Sequence, residues 1–359
     1  MSGKENLVEI SMIGPLMHQL VLSDHHQSRA LPNELLDLII KRCCRPTLAA
    51  SCLVTTEFRS IAITYLYEAP FTRDVIDPHQ REDGDAGPRV HARISMLCRT
   101  IANNSRLAHL VREFSCCAWS GYLLGAPDME LVLPHLLNLT TATALYTVTQ
   151  VHLFISLCPS TRLRTVHIMV SGFSMGDGVE QWLASQKDIR DLTIWRPCDG
   201  VGGLGSQTFE NLERLEAGID IARAILPTTT SIRRFVSTPL PTEEIAEIGE
   251  LLRSHCPAVQ DLKLCVSNPE SVYVKLTSEA LAVTAIRGLP CLQNLRVIMY
   301  GRINTTTLLG VIETVAQTCP SMRLVRWEAR GRMTHGAPFR VYSCALTSGT
   351  WTIVQSVSR

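Results

Sequence analysis

The chain has 359 residues, 46% of them hydrophobic, and sets 34 Lys+Arg against 33 Asp+Glu. That apolar fraction excludes wholesale disorder, and a formal net charge of +1 gives no global field to steer the protein toward nucleic acid or an anionic membrane. Thirteen cysteines, an odd number without a CxxC spacing, exclude a zinc knuckle and an ordinary disulfide framework; reduced, mostly buried thiols in a cytosolic or nuclear protein are expected.

Residues 1–30 carry Glu5, Glu9 and Asp24, and Pro15 and His18 interrupt the apolar stretch from Ile10 to Leu22. This composition makes a poor signal or transit peptide and reads as a flexible N-terminal segment. The next text, Leu31-Pro32-Asn33-Glu34-Leu35-Leu36-Asp37-Leu38-Ile39-Ile40, has Pro32 where a first helical turn tolerates a missing N–H and Glu34 at the positive end of the helix dipole. Leu35, Leu36, Ile39, Ile40 and Cys43 recur at helical spacing as one broad apolar face. Arg45-Pro46 ends that helix, Thr47 can cap a second with Leu48, Cys52 and Leu53, and Thr55 or Thr56 can cap a third with Phe58, Ile61, Ala62, Tyr65 and Leu66. Three short helices over residues 31–72 bury too little by themselves, so their apolar surface needs the rest of the chain or another protein.

The runs LPNELLDLII and CLVTTEFRSIAITYLYEAPF resemble the F-box, in particular the F-box-like proteins abundant in mushroom-forming fungi. The resemblance covers about forty residues in family order. It implies binding to a Skp-type adaptor, and through it to a cullin. By motif position the adaptor-facing residues are Leu31, Pro32, Leu35, Ile39, Leu53, Val54 and Phe58. Phe58 stands where many F-boxes have Trp, and Thr55-Thr56-Glu57 replaces the usual Cys/basic approach to it.

Residues 73–93 hold nine charged residues with Pro78, Gly84, Gly87 and Pro88, the composition of a charged linker. From residue 94 to 359 the pattern apolar-x-x-apolar-x-apolar recurs, as in Val111/Phe114/Cys116, Leu163/Val166/Ile168, Ile189/Leu192/Ile194, Leu212/Leu215/Ala217, Val259/Leu262/Leu264, Leu292/Leu295/Val297 and Met322/Val325/Trp327. Weaker copies stand at Ala142/Leu145 and Ile232/Phe235. The middle positions average about 26 residues apart, against roughly 20–29 for leucine-rich repeats. Helices ending at Cys256-Pro257, Leu289-Pro290 and Cys319-Pro320 precede three of these strands. The expected fold is α/β, a three-helix F-box-like module followed by an irregular leucine-rich-repeat-like solenoid with a parallel sheet. It lacks the Asn ladder of regular repeats. The uncharged stretch 131–161 is long enough to span a bilayer, but its Pro, His, Asn, Gln and Thr content reads as strands and turns in a soluble chain.

Two strings look catalytic. Gly172-Phe173-Ser174-Met175-Gly176 matches GxSxG, and Asp220 or Asp261 with His335 would complete the order Ser, Asp, His. Asp177-Gly178 interrupts the start of the following helix and no HGGG-type string precedes it, so a turn between repeat elements is expected. Gly200-Val201-Gly202-Gly203-Leu204-Gly205 matches GxGxxG, but Pro197-Cys198-Asp199 separates it from its strand. No His or Cys spacing forms a metal site, and no cofactor is expected.

The residues and the resemblance together imply a non-enzymatic substrate-recognition adaptor of a cullin–RING ubiquitin ligase; an interaction scaffold without adaptor binding is the rival, and a hydrolase using Ser174 the rival of another class. Alternation along the strands turns Leu192, Ile194, Leu262, Leu264, Leu295 and Val297 inward, so Thr193, Lys263 and Arg296 are expected on the open face as target-binding residues. With Asp191, Asp261 and Asn294 they form a mixed, charged strip, on which Lys263 and Arg296 are expected to tolerate reversal to Glu.

Overall fold

The computed structural model describes residues 31–71, 86–115, 125–145, 147–170, 177–195, 204–205, 208–266, 286–300, 314–315, 318–319, 321–330, 339–347 and 350–358. The chain divides into two compact units between Leu66 and Tyr67.

The first unit carries helices α1 (Asn33–Lys41), α2 (Arg45–Ser51) and α3 (Thr56–Glu68). Pro46 does not separate α1 from α2 but sits in the first turn of α2, where its missing N–H is not needed. Thr55 caps α3 as expected, its Oγ1 accepting the Phe58 amide at 3.3 Å. The core is small: Ile40, Leu48 and Ala62, with Cys43, Cys52, Phe58, Ile61, Tyr65 and Leu66 packed partly against it. Three polar staples supplement it. Tyr65 donates to Asp37 Oδ1 at 2.8 Å, Arg45 Nη2 to the Leu66 carbonyl at 2.9 Å, and Arg59 Nε to the Cys52 carbonyl at 2.8 Å.

The second unit is α/β. Nine parallel strands run in sequence order: β1 (Glu113–Ser115), β2 (Thr141–Leu145), β3 (Thr165–Ile168), β4 (Asp191–Ile194), β5 (Arg214–Ala217), β6 (Arg234–Leu240), β7 (Asp261–Val266), β8 (Asn294–Tyr300) and β9 (Leu324–Arg330). Strands β10 (Phe339–Thr347) and β11 (Thr350–Ser358) then add an antiparallel hairpin beside β9. The repeat pattern ends at β9, so this hairpin carried no repeat signal.

The strands align by their repeat positions. Phe114, Ala142, Val166, Leu192, Leu215, Phe235, Leu262, Leu295 and Val325 are register partners across successive strands, and each is at most 2% exposed. In β2 the partner is Ala142, not Leu145. The weak copy is therefore Leu139/Ala142, and Leu145 pairs with Ile168 only after an irregularity in the register. One backbone device repeats with the pattern. The carbonyls of Arg112, Thr140, Arg164, Arg190, Glu213, Arg233, Gln260 and Gln293 each accept two consecutive amides of the following unit, at 2.7–3.2 Å. Ser160, Ser231 and Ser321 add donations to the carbonyls of Leu139, Leu212 and Leu292 one unit back. These bonds tie each strand segment to the one before it.

Helices α4 (Ala86–Ala102), α5 (Ser105–Leu110), α6 (Ala126–Val132), α7 (Val148–Leu157), α8 (Asp177–Ser185), α9 (Ile219–Ile225) and α10 (Thr242–His255) complete the described helices. Helix α4 starts inside the stretch read as a linker: Pro88 falls in its first turn, and Cys98 and Ile101 are buried. The uncharged stretch becomes the end of α6, a turn of 3₁₀ helix at Leu133–His135, β2 and α7. Within the second unit a file of rings runs from Phe71 to Phe114 at 5.1 Å, Phe114 to Phe154 at 5.9 Å, and Phe154 to Trp182 at 5.8 Å. Helix α10 buries Ile245, Ile248 and Leu252 and stops at Cys256, as its sequence implies. The stop before β8 is made earlier than Pro290, by Gly288 at φ 85°. A Cβ there would approach Arg253 Cδ to 2.9 Å. Burial pushes the thiols of Cys158 and Cys256 up to about 11, and Cys98 up to about 12 with Asp128 adding to the effect. Buried and protonated, they pack as small apolar groups. Among the described residues no helix is long and apolar enough to cross a membrane.

Phe235 lies fully buried in the aligned row while Lys263, one strand on, points to the opposite face and is half-buried. Phe235→Ala is expected to cost about 3–5 kcal/mol in denaturant unfolding, whereas Lys263→Ala should stay within about 0.5 kcal/mol of the parent.

Candidate functional site

In the first unit α1 is apolar on more than one side. Leu36 and Ile40 turn inward, while Leu35, Leu38 and Ile39 remain 46%, 56% and 47% exposed. The single broad face expected from the sequence is thus divided between core and solvent. After α2, Leu53 is 81% and Val54 49% exposed. Pro32 is exposed, Leu31 is half-buried, and Phe58 is half-buried against the small core, more a packing residue than an open contact. Of the seven residues singled out by motif position, Leu35, Ile39, Leu53 and Val54 are exposed large apolar side chains; Leu38, three residues from Leu35 on the same helix, joins them and was not anticipated.

In the second unit the sheet face opposite the core is not a uniform solvated strip. Asp191 is the centre of a network across β3, β4 and β5. Arg214 Nη1 donates to both of its carboxylate oxygens at 2.7 and 2.9 Å, and His167 Nε2 lies 3.5 Å from Oδ1. Arg214 also donates to Glu216, which accepts the Trp195 indole N–H at 2.8 Å. Burial alone would push the Asp191 carboxyl up; the neighbouring His167 imidazole and the charge and hydrogen bonds of Arg214 outweigh it and hold the group below its ordinary value.

Thr193 departs from expectation. It is only 4% exposed, although it alternates with the core residues Leu192 and Ile194. Its register partners are His167 and Glu216, and Asp191 and Trp195 flank it along the chain. With strands about 4.8 Å apart, a short side chain amid four longer ones is shut off from water. Val236 and Ile298, 1% and 3% exposed, are likewise buried on this face.

Lys263 and Arg296 face away from the core but are half-buried where exposure was expected; they are adjacent in register, with Arg326 next in the same row. Arg296 has a partner the sequence reading did not identify. Glu328, 1% exposed, places Oε1 at 2.6 Å from Arg296 Nη2 and 2.9 Å from Arg326 Nε. The signal was present in Arg326-Trp327-Glu328, whose alternation sets Arg and Glu on one face, but their strand neighbours are known only from the register. Asp261 accepts the Asn294 side-chain amide.

Of the residues in the catalytic-looking strings, Ser174 and His335 lie outside the described residues, as do Gly200 to Gly203. Asp220 on α9 pairs with Arg223 at 3.0 Å. Among the described residues no three His, Cys, Asp or Glu side chains converge as metal ligands.

Two outcomes are expected from this geometry. The depressed Asp191 carboxyl stabilises the fold above its ordinary value near 3.8, and that contribution is lost as pH falls through the lower folded value. Asp191→Asn should therefore cost about 1–2 kcal/mol at neutral pH, with the gap to the parent narrowing below about pH 4 in urea unfolding. Reversal of Arg296 is not silent, because it sets a second carboxylate against Glu328. Arg296→Glu should cost about 1–3 kcal/mol, short of a fully unpaired buried charge because Arg326 remains, and a lower Tm than that of Lys263→Glu is the measurement. The chain matches no protein-family model and no curated protein.

Proposed function

We propose that the chain is a substrate-recognition adaptor of a cullin–RING ubiquitin ligase, binding a Skp-type adaptor through an F-box-like first unit and a target through a leucine-rich-repeat-like second unit. The carrying observation is the exposure of Leu35, Leu38, Ile39, Leu53 and Val54 on a unit whose buried apolar side chains, among the described residues, are Leu36, Ile40, Leu48 and Ala62. Five large apolar side chains held at the surface of so small a unit favour a protein partner, since covering each contributes roughly 1.5–3 kcal/mol. Four of them fall at positions that the F-box resemblance assigns to the adaptor. The in-register sheet of the second unit supports the repeat reading, and repeat arrays offer an extended surface for a protein target. In this reading ubiquitin transfer belongs to other subunits, and the chain supplies recognition alone.

The test is co-expression with a Skp-type adaptor and capture of the complex. The parent should bind, and Leu35→Asp, Ile39→Asp and Leu53→Asp should each weaken capture by about tenfold or more, the equivalent of about 1.4 kcal/mol. Since none of the three side chains is buried, Tm should be unchanged. A parent that captures no adaptor at micromolar concentration would leave the interaction-scaffold reading in its place.

A further inference from the structure

Beyond the mixed network at β3–β5, the character of the sheet face changes. Lys263 on β7, Arg296 on β8 and Arg326 on β9 are successive register partners. At the usual strand spacing of about 4.8 Å, three cations lie within roughly 10 Å. One carboxylate answers them. Glu328 sets Oε1 against both arginines, and it is buried while the arginine side chains remain 38% and 43% exposed. The other acids of the neighbouring strands are engaged: Asp261 accepts from Asn294, and Glu216 serves Arg214 and Trp195. Among the described residues Lys263 has no ion pair, and the Nε of Arg296 is buried without a hydrogen-bond partner. Like charges at this spacing repel, and an added anion would relieve the repulsion that Glu328 leaves. A guanidinium fork beside an ammonium matches a tetrahedral oxyanion in shape and charge.

We propose that Lys263, Arg296 and Arg326 form a binding site for a phosphate-class oxyanion, with Glu328 as the positioning residue that holds the two guanidinium groups side by side. Charge and shape decide the class: three cations against the carboxylates of Glu328 and Asp261, the latter bonded only to the neutral Asn294 amide, leave the row net positive, and the paired guanidinium groups fit a tetrahedral oxyanion. The site is argued from the sheet alone and does not depend on the ligase reading.

Titration calorimetry on the full chain at fixed ionic strength, with chloride as the screening salt, tests it with two probes: inorganic phosphate and a Gly-phosphoserine-Gly peptide. Saturable binding of at least one is expected, together with a raised Tm. Lys263→Gln should weaken it about tenfold at unchanged Tm in the absence of ligand. Arg296→Lys, which keeps a charge for Glu328 but removes the fork, should weaken it to a similar degree. Tighter binding of the peptide assigns the group to a phosphorylated chain, and tighter binding of phosphate to the free ion; either supports the site. No saturable binding of either probe at millimolar concentration overturns it, as does an affinity untouched by Lys263→Gln. No adaptor enters the experiment, so its failure and that of the ligase reading are separate results.

Discussion

The second unit depends on one repeated backbone bond. In each unit a single carbonyl, from Arg112 through Gln293, accepts two amides of the unit that follows. Because the bond is made by the main chain, it tolerates Arg, Thr, Glu and Gln at the same position. It fixes the register of every parallel pair, and register decides which face each side chain occupies. The aligned row from Phe114 to Val325 follows from it, and so does the row on the opposite face. Core and surface are set by one constraint.

That coupling explains the two characters of the open face. Across β3–β5 the acidic and basic groups alternate closely enough to satisfy one another, so Asp191, Arg214 and Glu216 interlock over Thr193. Across β7–β9 the same row brings cations together, and a single buried carboxylate links two of them. In the first region Arg214 is paired with both Asp191 and Glu216. The second keeps arginines that are both partly exposed and fixed in place, the condition under which a charged group recognises a ligand without a large ordering cost.

The first unit meets the opposite problem, too many apolar residues for its size. Helix α1 sends Leu36 and Ile40 into the core and leaves Leu35, Leu38 and Ile39 outside, a division a three-helix unit cannot avoid when its helix is apolar on several sides. Polar bonds such as Tyr65 to Asp37 hold the helices together without drawing on that surface.

Local spacing determined a good deal. The helical spacing of LPNELLDLII, the stop at Cys256-Pro257 and the recurrence of apolar-x-x-apolar-x-apolar placed three short helices and the parallel strands, because each depends on residues within one or two turns or one short strand. What needed neighbours distant in sequence was not legible. The β2 register went to Ala142 because Phe114 and Val166 stand beside it. The terminal hairpin carried no repeat signal. Thr193 is buried by side chains from β3 and β5 that alternation along β4 cannot reveal. The role of Arg296 depends on Glu328, 32 residues later in the chain and one strand away. Sequence alone determined the three short helices, the repeat strands and the apolar face of each, since periodicity is a local property. The tertiary structure decided which polar groups meet, because strand pairing brings together residues that no local pattern connects.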